Sequence, residues 1–192
     1  HHNNYRGFYY AWHTGGFKMI PAMFHVVVDG NNFYENHGPN IWFDHPMGEN
    51  LVVNNTVTGH SDETKLGQGI FYEVSENLIG AWGVVIRNNL VQKIHRQGIY
   101  ISASEEAEVY NNTVLECWTP IVMHGMPRQD TSKNPTVVYK LNDNKVYNNI
   151  LENKLGATGS YAVVYIGNDD TKTATSDVEG KFEIENVPNG DH

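Results

Sequence analysis

The dipeptide Asn-Asn returns five times along this chain, at Asn31-Asn32, Asn54-Asn55, Asn88-Asn89, Asn111-Asn112 and Asn148-Asn149. Apolar residues or threonine flank it, as in Leu51-Val52-Val53-Asn54-Asn55-Thr56-Val57 and Lys145-Val146-Tyr147-Asn148-Asn149-Ile150-Leu151. The spacings are 23, 34, 23 and 37 residues, so a base period of 23 with insertions in alternate coils accounts for all four. Such a period marks a solenoid, in which one repeat cannot bury its apolar face alone and stacking makes the core continuous.

A second element precedes each pair: Gly7-Phe8-Tyr9-Tyr10, Asn40-Ile41-Trp42-Phe43, Gly69-Ile70-Phe71-Tyr72, Gly98-Ile99-Tyr100-Ile101 and Pro120-Ile121-Val122-Met123. Each coil thus reads as two short strands, rich in β-branched and aromatic residues, with no helical period. At the bends, backbone groups leave the ladder and need partners. A stacked asparagine offers donor and acceptor to the coils above and below, so the second Asn of each pair (Asn32, Asn55, Asn89, Asn112, Asn149) is expected to point inward. Glycosylation of the Asn-x-Thr matches at Asn54 and Asn111 would explain only two of the five pairs.

The expectation is an all-β, right-handed, single-stranded parallel β-helix with an asparagine ladder. Coils fill residues 1–170, five to six in number, as part of a longer helix. Residues 171–192 form an irregular C-terminal strand segment or the start of a small β module.

Composition removes several partners. The net charge is −9 and the 13 Lys and Arg never adjoin, so no basic patch exists to hold nucleic acid. No run approaches the length of a membrane-spanning helix. The single cysteine, Cys117, precludes an internal disulfide and reads as a buried free thiol.

Side chains alternate along a strand. With Ile41, Ile70, Ile99 and Ile121 inward, Phe43, Tyr72, Ile101 and Met123 follow them. An outward column is then aromatic (Tyr9, Trp42, Phe71, Tyr100), and beside it run Ala11, Asp44, Glu73, Ser102 and His124. Aromatic faces on a flat sheet suit the apolar faces of sugar rings. Asp44 and Glu73 occupy equivalent positions in consecutive coils, and strands stack about 4.8 Å apart. Two carboxylates that close repel, so one keeps its proton to higher pH. An acid and a nucleophile about 5–5.5 Å apart are the parts of a retaining glycosidase.

The repeat resembles that of pectin lyases, rhamnogalacturonases, alginate epimerases and several glycosidases, over about residues 5 to 154. Locally, Asn40-Ile41-Trp42-Phe43-Asp44 and Gly69-Ile70-Phe71-Tyr72-Glu73-Val74 are similar to the β-helix xylosidases of glycoside hydrolase family 120, with Gly15-Gly16-Phe17-Lys18 like their Gly-Ile-Lys segment. That resemblance implies Asp44 as nucleophile and Glu73 as acid/base. The His45-Pro46 that follows the Asp, and the lack of room for the family's extra β-sandwich, depart from its pattern.

His13, His45, His95 and His124 can approach the same face, with Arg96 and Lys18. The substrate-binding set is therefore Trp42, Phe71, Tyr100, His45, His124, Lys18 and Arg96. Such basic residues also suit a uronide lyase or epimerase. The third reading is a non-catalytic adhesin or glycan-binding β-helix, contacting its ligand through the insertions Ser61–Gln68 and Met126–Lys140. No His-x-x-x-His or cysteine cluster marks a metal site. The expectation is a secreted, extracellular or periplasmic enzyme acting on poly- or oligosaccharide with no cofactor, Ca²⁺ entering only for a lyase.

Overall fold

Asparagine and glycine at the bends set the cross-section of the coil. Asn54, Asn88, Asn111 and Asn148 take φ of 57°, 56°, 52° and 53°, the left-handed region that Asn tolerates better than most residues. Each turns the chain sharply between two strands. The segment around each pair, read as one strand from spacing alone, is therefore two, and each coil holds three strands rather than two.

The computed structural model describes residues 1–4, 9–11, 14–77, 80–125, 128–133 and 135–153, and the backbone of 162–165 and 173–175. Coil one is β1 (Phe17–Met19), β2 (Val27–Asp29) and β3 (Asn32–Phe33); coil two is β4 (Ile41–Asp44), β5 (Asn50–Val53) and β6 (Thr56–Thr58). Coil three is β7 (Ile70–Glu73), β8 (Val84–Arg87) and β9 (Leu90–Gln92); coil four is β10 (Gln97–Ser102), β11 (Ala107–Tyr110) and β12 (Thr113–Cys117). Coil five starts with β13 (Thr119–His124) and detours through a hairpin, β14 (Arg128–Asp130) and β15 (Val137–Tyr139). It closes with β16 (Lys145–Tyr147) and β17 (Ile150–Asn153), after which β18 (Ala162–Tyr165) and β19 (Thr173–Thr175) follow.

Equivalent strands stack into three parallel sheets: β1-β4-β7-β10-β13-β18, β2-β5-β8-β11-β16 and β3-β6-β9-β12-β17, with β19 added antiparallel to the first. This is a parallel β-helix, all β among the described residues. No described helix is long and apolar enough to cross a membrane.

The register of the first sheet is the one the alternation implies. Ile41, Ile70, Ile99 and Ile121 pair in line, as do Phe43, Tyr72, Ile101 and Met123. All eight join the valines of the other two sheets in one buried core. The ladder runs through Asn55, Asn89, Asn112 and Asn149, each Nδ2 donating to the next Oδ1 at 3.0, 2.9 and 3.0 Å. In the first coil the rung is Asn31, not the expected Asn32: Asn31 Nδ2 donates to Asn55 Oδ1 at 3.2 Å. Gly30, at φ 67°, already occupies the left-handed bend there, which moves the register one residue back.

The first coil brings another correction. The strand that pairs with β4 is Phe17–Met19, which puts Lys18 beside Trp42 in the aromatic column. Tyr9 was expected there; its ring instead lies 4.8 Å from that of Tyr10. Gly7, Phe8, His13, Met126, the segment 154–161 and nearly all of 171–192 lie outside the described residues.

Candidate active site

In the first sheet, alternation turns Trp42 and Asp44 of β4, and Phe71 and Glu73 of β7, away from the core. Ile41, Phe43, Ile70 and Tyr72, with no solvent exposure, anchor the same strands from inside. Asp44 and Glu73 are register partners on neighbouring strands. Trp42 stacks on Phe71 with centroids 5.4 Å apart, and Phe71 on Tyr100 at 4.8 Å. This column faces outward yet is largely covered, Trp42 being 5% exposed and Phe71 8%.

Just beyond the carboxylates the backbone bends again. His45, Val74 and Ala103 sit at equivalent positions with φ of 57°, 47° and 46°. A β-branched residue such as Val74 is strained in this region. Its side chain packs with Ala103 and Tyr139 in a small second core that seats the β14–β15 hairpin over the strand ends.

The two carboxylates live in unlike surroundings. Glu73 is 7% exposed. Its Oε1 accepts the Trp42 Nε1–H at 2.8 Å and its Oε2 accepts from Arg128 Nη1. Burial pushes the Glu73 carboxyl above the usual carboxylate range and the charge of Asp44 adds to this, while Arg128 opposes it. Asp44 is more open, paired with Lys18 Nζ at 2.9 Å, with His45 Nε2 at 3.9 Å. Lys18 Nζ also lies 3.3 Å from the Trp42 ring centroid.

Above them opens a pocket of about 300 Å³, lined by Tyr10, Ala11, Lys18, Pro39, Trp42, Asp44, Gln68, Phe71, Glu73, Arg96 and Arg128. Six of the nine residues singled out from sequence line it: Asp44, Glu73, Trp42, Phe71, Lys18 and Arg96. Tyr100 continues the stack outside it, sharing a 2.8 Å hydrogen bond with His124 Nδ1. His45 stands beside Asp44, its ring 5.3 Å from that of Tyr139. His95 turns elsewhere, its Nε2 2.7 Å from the His60 carbonyl oxygen.

Arg128, Gln68 and Tyr10 also line the pocket without being site candidates from sequence, although Gln68 and Arg128 fall in the two insertions expected to contact a ligand. Arg128 lies 55 residues from Glu73, in an insertion that alternation along the coils cannot align. Gln68 closes the other insertion; a polar residue that ends a loop and precedes Gly69-Ile70 was the available signal. A wider groove of about 830 Å³ runs by Trp82, Val85, Glu105, Glu106 and Glu108 on the second sheet. Burial raises the Glu105 carboxyl there as well, but the smaller pocket sets a register-paired Asp and Glu beside stacked aromatic rings and is the candidate site for that reason.

A family model, that of NosD, described as a periplasmic copper-binding protein, matches residues 1–186. The chain belongs to the NosD family. Comparison with curated proteins and with solved structures gives no match. NosD membership agrees with the β-helix and, of the compartments expected, selects the periplasm. It also corrects the expectation of a protein without a cofactor, Ca²⁺ aside, because NosD is described as copper-binding. That expectation rested on the lack of a short ligand motif, and in a solenoid ligands can come from separate coils.

The His, Cys, Asp and Glu side chains described do not assemble a copper site. Among the described residues no group of three or more His, Cys, Asp or Glu could hold a metal ion. The only thiol, Cys117, is fully buried in the core, donates to Leu115 O at 3.3 Å, and is pushed up to about 12 by burial. Copper ligation by a cysteine sulfur needs the thiolate.

Proposed function

We propose that the pocket over the Trp42–Phe71 stack cleaves glycosidic bonds with retention of configuration. One observation carries this reading: Asp44 and Glu73 sit side by side on neighbouring strands, each paired with a cation, Asp44 the more open and Glu73 buried with a raised pKa. That contrast is how two carboxyl groups divide into nucleophile and acid. Neighbouring strands about 4.8 Å apart suit the short separation of the retaining mechanism.

Ionised Asp44, held by Lys18, attacks the anomeric carbon while protonated Glu73 gives its proton to the leaving oxygen. A covalent glycosyl ester on Asp44 and a free alcohol result. Water then attacks the anomeric carbon, the Glu73 carboxylate takes its proton, and Asp44 is released. Trp42 and Phe71 supply the apolar wall for the sugar face, and the Trp42 N–H aims the Glu73 carboxyl. The local resemblance to family 120 xylosidases supports the same roles.

Glu73→Gln should cut turnover of unactivated glycosides by a factor of at least about 10², and Asp44→Ala should regain activity with azide, yielding a glycosyl azide of inverted configuration. Wild-type rates in a folded Glu73→Gln protein would refute the assignment. A polysaccharide lyase is the second reading, favoured by Lys18 and Arg96 at the pocket; its product would carry a new double bond absorbing in the ultraviolet.

A further inference from the structure

The charges around this pocket do not balance. It is lined by two carboxylates, Asp44 and Glu73, and three cations, Lys18, Arg96 and Arg128. Lys18 pairs with Asp44 and Arg128 with Glu73. Arg96 has no carboxylate partner among the described residues; its guanidinium lies 5.0 Å from the Tyr10 ring centroid. A chain of net charge −9 thus gathers a surplus positive charge at this one concave site. A guanidinium stacked on an aromatic ring is held in orientation with its donor edge open, the geometry that grips a planar carboxylate through two parallel hydrogen bonds.

We propose that the pocket selects sugars carrying a carboxylate, that is uronic acid residues, and that Arg96 is the residue that recognises the acid group. This rests on the carbohydrate reading of the pocket given above. The neutral stacking surface of Trp42 and Phe71 takes the ring face, while Arg96 reads the substituent at its edge. Lys18 and Arg128 stay engaged with the reacting carboxylates, which leaves Arg96 as the discriminating cation. An anionic ligand also meets repulsion from the Asp44 carboxylate, so the acid group must lie on the Arg96 side, away from the reacting bond.

The test is calorimetric titration with galacturonate, glucuronate, mannuronate and guluronate oligosaccharides, each beside its methyl ester, which keeps the backbone and removes the charge. At least one acid should bind about tenfold or more tightly than its ester, the worth of a charge-assisted hydrogen bond. Arg96→Gln should abolish that preference and Arg96→Lys should keep part of it. If no acid binds better than its ester, or if Arg96→Gln retains the preference, the inference is wrong. Acid-selective binding without bond cleavage upholds the inference and refutes the hydrolase. Cleavage of neutral glycosides with no preference for the acid does the reverse.

Discussion

Replacing Asn89 by alanine tests whether the ladder holds the coils together. Asn89 Nδ2 donates to Val52 O and Arg87 O at 3.0 Å each and to Asn112 Oδ1 at 2.9 Å. Its Oδ1 accepts from the Asn55 backbone N–H at 2.9 Å and from Asn55 Nδ2 at 3.0 Å. Alanine removes all five bonds in a site 2% exposed. Asn55 Nδ2 keeps Val28 O and Val53 O, whereas the Asn55 backbone N–H loses the acceptor it uses in the ladder. That orphaned donor costs about 1–3 kcal/mol, and the other bonds add about 0.5–1.5 kcal/mol each with partial compensation. The expected loss is about 4 kcal/mol, a large share of a usual stability of about 5–15 kcal/mol. In a chain of this size that lowers Tm by about 10 °C.

Two controls sharpen the measurement. Asn31→Ala at the exposed end rung loses bonds already open to water and should cost about 1 kcal/mol or less. Asn88→Gly, at an exposed bend where φ is 56°, should be close to neutral because glycine adopts that conformation freely. Urea unfolding followed by far-ultraviolet circular dichroism gives all three values, with the m value checked because repeat arrays can lose cooperativity. If Asn89→Ala costs no more than Asn31→Ala, the ladder is a consequence of stacking and not a cause of it.

Arg128→Met should move the high-pH limb of the activity profile upward. Glu73 must be protonated to act as acid, its carboxyl is raised by burial and lowered by Arg128, and removing the guanidinium lets it rise further; a kcat/KM profile against pH reads this, and a downward move would contradict it. The Cys117 thiol, pushed up to about 12 inside the core, should resist alkylation in the folded protein at neutral pH and react fully in denaturant, as mass spectrometry would report.

Much of this molecule was legible from residues alone, because a solenoid repeats its local chemistry at a regular interval. The inward isoleucines and the outward Asp44–Glu73 pairing follow from period-two alternation once one column is assigned, as any slip would turn every side chain over. Misreadings arose where the repeat gives way. Gly30 took over the bend of the first coil and moved its rung to Asn31. Lys18 entered the aromatic column because strand β1 lies eight residues beyond Tyr9. The left-handed asparagines split each second strand in two, which a count of apolar runs cannot reveal.

The coil, its ladder and the row of outward residues can be read from the chain, since these depend on neighbours at one recurring spacing. What covers that row is set by the folding of distant segments over it. The β14–β15 hairpin brings Arg128 onto Glu73 across 55 residues, and Gln68 and Tyr10 wall the pocket from segments outside the repeat. Burial and charge at a site depend on everything that folds over it, and insertions share no register with the coils they cover. The carboxylate pair was therefore visible in the chain, while the difference between its two members emerged only from the fold.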